Sequence, residues 1–341
     1  FWYCLCLWLP LFMVVSFLTA GISQNTIQYS NKNNKECINK NAFNILWCIS
    51  MILSPLYLYN VIKIVSQFST SDLLYNIRIL AVSGNAGSLL LNSVQAINIV
   101  LFITAIWLFP KVSKFKLITI ILANFTVEFA LMEKSGILVM ILSTLFVLHQ
   151  KKTIKVRTIG LVLASTIVLF FLINASKESK QEESATFLDF FGMYVTSPAV
   201  AFGYLDQDLN NYFGINTFSQ VYQYLDVVFG LHLQYTNRLQ EIVFVPVPTN
   251  VYTIFQPFYE DFGTTGVGLF AIIYGFIFGW IYGKYKAGNT YSKLLYTYCV
   301  EIIIIQFYNE NFLQNLFMSV GIIVWSFLVS QKSIVVKYNE N

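Results

Sequence analysis

The sequence predicts an all-α, polytopic membrane protein, and three observations carry that expectation. Of its 341 residues, 56% are hydrophobic and 11% are charged, whereas soluble domains are about one quarter charged. Apolar runs recur at 1–20, 43–62, 88–109, 117–132, 136–148, 156–174, 267–283, 294–308 and 312–330, and the longer ones reach the ~20 residues that carry a helix across about 30 Å of hydrocarbon. None alternates with the period of two that a spanning strand requires. About nine spans are therefore expected around one long polar segment. The chain divides accordingly into an amino-terminal membrane bundle over 1–174, a large external loop over 175–265, and a carboxy-terminal bundle with a cytoplasmic tail over 266–341.

The first run opens on Phe1 inside apolar sequence. It has no basic region or small-residue cleavage site before it, so it reads as a cut span rather than a signal peptide, with the natural amino terminus missing. Basic residues then orient the bundle, because cytoplasmic loops collect Lys and Arg. If every run crosses, one side holds Lys32, Lys35, Lys40, Lys111, Lys114, Lys116, Lys151, Lys152, Lys155, Arg157, Lys284, Lys286, Lys293, Lys332 and Lys337. The other side holds Lys63, Arg78, Lys134, Lys177, Lys180 and Arg238. The first, larger set is cytoplasmic and the long polar segment is external.

Leu117–Leu148 is read as two short arms, since a single crossing would put the lysine clusters at its two ends on opposite faces. Arms this short turn below the membrane surface, so Lys134, in Glu133-Lys134-Ser135-Gly136, is expected near the floor of an outward cavity. The alternative is that it snorkels and pairs with Glu133 or Glu128. Arg78 lies within Asp72–Ile79, where Leu73, Leu74, Ile77 and Ile79 have the spacing of an interfacial helix; its guanidinium serves either a headgroup or a ligand.

The external segment carries five Glu and five Asp against Lys177, Lys180 and Arg238, a net charge of 3 − 10 = −7. Nucleic acid is excluded as a partner, because a phosphate backbone requires a basic groove. Carboxylates and aromatic faces suit carbohydrate instead, accepting hydroxyl hydrogen bonds and stacking on sugar rings. The same Tyr and Phe residues also fit ordinary interfacial aromatics. None of the five cysteines, Cys4, Cys6, Cys37, Cys48 and Cys299, lies in this segment, so no disulfide framework is expected there. Asp206-Gln207-Asp208 has the spacing of a cation site but stands in a Gln/Asn-rich loop, and no metal or other cofactor is expected. Pro246–Gly266, PVPTNVYTIFQPFYEDFGTTG, is the stretch on which the chain is organised. Thr249–Tyr252 is extended or turning, and Glu260-Asp261 precedes Gly263 and Gly266, whose backbone freedom leads into the seventh span.

Four stretches, YNIRILAVSGN, EKSGILVMILSTLFVL, YVTSPAVAFGYLDQDLNNYFGINTFSQVYQYL and PTNVYTIFQPFYEDFGTTGVG, resemble the oligosaccharide repeat-unit polymerases, the O-antigen and capsule polymerases of the Wzy type. The resemblance covers most of the chain. It implies a multi-pass protein of the bacterial cytoplasmic membrane that joins polyprenyl-diphosphate-linked oligosaccharides at the outer face by inverting, metal-independent transfer. A chain-length regulator and a flippase are the partners it suggests. It also implies that Arg78, Lys134 and Arg238 face the diphosphate, although the family often has Arg where this chain has Lys134 and loses a bidentate fork.

The residues themselves fit that chemistry. Cations in a poorly hydrated cavity stabilise a departing diphosphate, and an attacking hydroxyl needs a base. Asp261 is the first choice for that base, Glu260 the second, with His232 a further possibility or a plain loop histidine. Asn250, Tyr252 and Tyr259 are the sugar-binding candidates. A flippase or transporter of lipid-linked oligosaccharide, an O-antigen ligase-like transferase, and a receptor or assembly protein are the alternatives.

Overall fold

The structure, a computed structural model, describes residues 1–28, 38–67, 76–77, 80, 89–131, 135–162, 164–165, 168, 196–205, 213–236, 243–245 and 248–331. Among the described residues the regular structure is helical apart from one two-residue strand pair. The long helices are α1 (Trp2–Gln28), α2 (Lys40–Val65), α3 (Leu89–Leu108), α4 (Lys114–Leu131) and α5 (Ser135–Gln150). After the polar segment come α8 (Gln256–Lys286), α9 (Thr290–Ile305) and α10 (Leu316–Ser330). The polar segment itself holds α6 (Ser197–Ala201), α7 (Ser219–Phe229), β1 (Val243–Phe244) and β2 (Pro248–Thr249).

Three stretches, Trp2–Asn25, Lys40–Val65 and Gln256–Lys286, are long and apolar enough to cross a membrane, and Ser93–Leu108, Gly136–Gln150 and Leu316–Ser330 are shorter apolar helices. Their outward residues are also apolar: Phe17 is 80% exposed, Ile52 62% and Leu269 56%. That is the surface a protein presents to lipid rather than to water. The chain is thus an α-helical membrane protein.

Two compact units form. The first comprises Phe1–Trp8, Thr144–Phe270 and Ile302–Gln314; the second comprises Leu9–Ser143, Ala271–Glu301 and Asn315–Asn341.

Two devices build the second unit. Where α1 meets α8, Gly275, Gly279 and Gly283 repeat every four residues and so share one helix face. A Cβ on Gly275 would lie 2.8 Å from the Phe12 carbonyl oxygen. One on Gly279 would overlap Ser16 and Thr19, and one on Gly283 would overlap Ala20 and Ser23. With no side chain between the backbones, Ser23 Oγ donates to the Trp280 carbonyl at 3.0 Å and Thr19 Oγ1 to the Gly275 carbonyl at 3.4 Å. Close approach of small residues is how helices associate where hydrocarbon removes the hydrophobic drive.

The other device is polar. Asn98 of α3 is 1% exposed. It accepts from Ser50 Oγ at 2.5 Å and donates to Ser54 Oγ at 3.0 Å and the Ala123 carbonyl at 3.3 Å. Asn124 of α4 returns a bond to the Asn98 carbonyl at 3.2 Å. Spacings of four in Ser50/Ser54 and Asn124/Glu128 bring each pair to one face, so α2, α3 and α4 share a single polar seam.

The two short arms expected over 117–148 are present as the separate helices α4 and α5. The helix of the seventh run begins well before its apolar core, at Gln256, so residues 256–265 of the polar segment are its first turns. Pro257 fits that start, because the first helical turn has no use for the missing N–H. Gly263 then leaves the helical range with φ 62° and ψ −154°, a conformation open to glycine and costly to other residues.

Replacing Gly279 with Leu should break the α1–α8 seam, since overpacking costs about 1–3 kcal/mol or more. Thermal unfolding of the detergent-solubilised protein should shift downward by several degrees. Gly21→Ala, on α1 with nothing within 4 Å of the added methyl, should leave the midpoint unchanged or slightly raised.

Candidate functional site

The site is built in the first unit, on the opening turns of α8. Successive helical residues are about 100° apart around the axis, so Glu260 and Asp261, neighbours in sequence, are directed to different faces. Asp261 meets the turn Phe213–Phe218. Its Oδ1 accepts from the Asn216 backbone N–H at 3.1 Å and from Asn216 Nδ2 at 3.0 Å, and its Oδ2 accepts from the Thr217 N–H at 2.6 Å. Thr217 Oγ1 donates to the Pro257 carbonyl at 3.0 Å, one turn back on the same helix. Carboxylate and hydroxyl together latch this turn to α8.

Aromatic packing closes the latch. Phe213 lies on Phe262 with ring centres 5.1 Å apart, and Phe258 stacks on Phe270 at 4.2 Å with the planes 8° apart. Gly214, at φ 66°, makes the turn's tight corner, and a Cβ there would meet Phe218 at 2.6 Å. Gly266 is as restricted, since its Cβ would meet the Phe258 carbonyl at 2.5 Å. Tyr222 of α7 donates to the Phe213 carbonyl at 2.6 Å, so the helix after the turn is tied to its beginning.

With three of its roughly four acceptor positions taken, Asp261 is placed to hold Asn216 and Thr217 in position. Glu260 is half-buried, and its Oε1 lies 3.5 Å from Gln256 Nε2, four residues back. Tyr259 is half-buried with its ring 5.1 Å from that of Phe202. Tyr252 is 2% exposed and packs in a cluster with Ala201 and Val245. Asn250 directly follows β2 and is half-buried. His232 is exposed in the loop after α7, with φ 50°. Arg78, Lys134 and Arg238 lie outside the described residues, as does Asp206-Gln207-Asp208.

Two groups that sequence reasoning passed over belong to the same unit. Glu310, fully buried, accepts from the N–H groups of Phe312 at 2.8 Å, Leu313 at 3.0 Å and Gln314 at 2.7 Å, a second acid-held turn. Gln220, just past the first turn, donates to the Gln314 carbonyl and so joins the two. Gln306 receives the Ile254 N–H on its carbonyl at 3.0 Å and Trp8 Nε1 on its side chain at 3.2 Å. The Gln306 Nε2 and Thr253 Oγ1 atoms are buried without a hydrogen-bond partner. Glu310 stands six residues ahead of α10, whose N-cap is Asn315, so no helix-start pattern pointed to it.

In the second unit, Glu128 is 2% exposed, taking Gln95 Nε2 on Oε1 at 2.9 Å and the Gly136 N–H on Oε2 at 3.1 Å. This ties α3, α4 and the first turn of α5 together at the hairpin that carries Lys134 in sequence.

Removing the latch by Asp261→Ala leaves the buried amides of Asn216 and Thr217 without their acceptor, a loss of about 1–3 kcal/mol. Hydrogen exchange at these two amides should then accelerate by about tenfold or more, with exchange in α2 unchanged. No protein-family model, no curated protein and no solved structure matches the chain.

Proposed function

We propose that the chain is a glycosyltransferase that joins polyprenyl-diphosphate-linked oligosaccharide repeat units at the outer face of the cytoplasmic membrane, yielding O-antigen or capsular polysaccharide. Its apolar runs make about nine crossings in this reading, and 175–265 faces outward. The observation that carries it is the placement of two carboxylates at the head of an apolar, membrane-length helix. A turn of the acidic, aromatic polar segment is latched onto that head.

In the transfer, the bond between the growing chain's anomeric carbon and the diphosphate oxygen breaks, and the lipid diphosphate leaves with the electron pair. A sugar hydroxyl of the incoming unit forms the new bond and gives up its proton. Arg78, Lys134 and Arg238 neutralise the leaving diphosphate. Glu260 is the base, because Asp261 is committed to the Asn216–Thr217 turn and acts as a positioning residue. Tyr259 and Asn250 face sugar, and Tyr252 packs with Ala201 and Val245. A flippase or transporter is favoured by one observation, the carboxylate of Glu128 buried among helices, since such sites mark translocation paths. An O-antigen ligase-like transferase shares the Glu260 chemistry and differs only in its acceptor.

The test is deletion of the gene in its host, complemented with wild type, Glu260→Gln or Arg238→Ala at matched membrane levels, followed by electrophoresis of the surface glycolipid. The deletion should leave single repeat units on the anchor, and wild type should restore the ladder. Glu260→Gln should lose about 10²–10⁴ in polymerising rate. An anchor carrying no sugar at all would move the function to export or ligation.

A further inference from the structure

The turn that Asp261 latches to α8 is the root of a lobe, residues 213–236, within the first unit. From this turn the chain enters α7, where Gln220 donates to the Gln314 carbonyl and Tyr222 to the Phe213 carbonyl. The helix stops at Gly230, which takes φ 61° and donates its N–H to the Asp226 carbonyl at 2.8 Å. Asp226 Oδ1 then accepts the Leu233 N–H at 3.1 Å, and Thr236 Oγ1 donates to the Ile215 carbonyl at 3.3 Å, so the chain comes back to the latched turn. Polar contacts hold the lobe at its root.

Its far part is apolar and outward. Tyr224, Val227 and Val228 have the i, i+3, i+4 spacing of one helix face, and the two valines are 67% and 46% exposed. Phe229, 63% exposed, and Leu231, 53% exposed, carry the apolar surface past the end of α7. Over 213–236 the sequence has one carboxylate, Asp226, engaged with the Leu233 N–H, and no Lys or Arg. An uncharged surface of this kind marks contact with another apolar phase.

The position of the latch on α8 says which phase. Asp261 stands six residues before Val267, where the apolar run begins, a rise of about 9 Å. The headgroup layer is about 5–8 Å deep on each face of a bilayer. The root of the lobe is therefore level with the headgroups, and Leu269, two residues into the apolar run and 56% exposed, belongs to the hydrocarbon below. From that root α7 runs 11 residues, about 16 Å, so its apolar face continues the lipid-facing surface of α8.

We propose that α7 is an interfacial helix: Tyr224, Val227, Val228 and Phe229 lie at the boundary of headgroups and acyl chains around the head of α8 and anchor the latched polar segment to the membrane surface. Such helices sink about 5–10 Å into that boundary. Insertion of apolar side chains carries the contact, since the lobe has no Lys or Arg for an acidic lipid. The inference rests on α8 crossing the membrane and is independent of the glycosyltransferase reading.

The test places the full chain carrying Phe229→Trp in nanodiscs of phosphatidylcholine brominated either near the headgroup or near the chain end. The emission of the added tryptophan is taken as the difference from wild type. Bromine near the headgroup should quench it more than bromine near the chain end, and acrylamide in the water should quench it little. Added phosphatidylglycerol or high salt should change neither result, because no charge pair is involved. If Phe229→Trp does not fold, Val227→Trp on the same face should give the same readings. Quenching by acrylamide but not by bromine puts this face in water and overturns the proposal. Quenching by neither overturns it too, since another part of the chain then covers α7. So does loss of bromine quenching on adding a polyprenyl phosphate, which would give the face to a substrate's lipid chain.

Discussion

Hydrocarbon supplies no hydrogen-bond partner, so every polar group carried inside the protein must be answered by another part of the chain. Four polar side chains follow that constraint. Asn98 answers two serines and a carbonyl, Glu128 answers an amide side chain and a helix N-terminus, and Asp261 and Glu310 each hold a turn by its backbone N–H groups. These groups also specify arrangement, since any other register would leave one of them unpaired at a cost of about 1–3 kcal/mol.

Packing then works around the polar points with the smallest residues available. The glycines at 275, 279 and 283 let α8 approach α1 until hydroxyls of one helix reach carbonyls of the other. Upstream on the same helix the need is different. Gly263 breaks the helical path and Gly266 admits the Phe258 carbonyl, so the opening turns of α8 serve as a platform for the polar segment.

That platform changes how the adjacent carboxylates divide their work. Helical geometry separates them by about 100°, which gives Asp261 to architecture and leaves Glu260 on another face. Catalysis at such a head would depend on the latch as much as on the base, because a hydroxyl and its acceptor must be held within hydrogen-bond reach. Glu128 plays the corresponding part at the α4–α5 hairpin, binding the Gly136 N–H close to where Lys134 stands in sequence.

Helix class and placement were legible in the sequence, because hydropathy is a local property. Eight of the nine apolar runs coincide with helices α1–α5 and α8–α10, the division of 117–148 into two short helices emerged from lysine placement, and backbone freedom at Gly263 was expected from residue type alone. Partners were not legible, because they are set by chain segments far apart. Asp261 meets Asn216 at a separation of 45 residues, and Trp107 meets Thr297 at 190. Nothing near Tyr252 announced that its ring would be buried against Ala201 and Val245. The early start of α8 was hidden too: residues 256–265 are polar enough to read as loop, and their helix is held by contacts with a turn that only the tertiary fold brings to them.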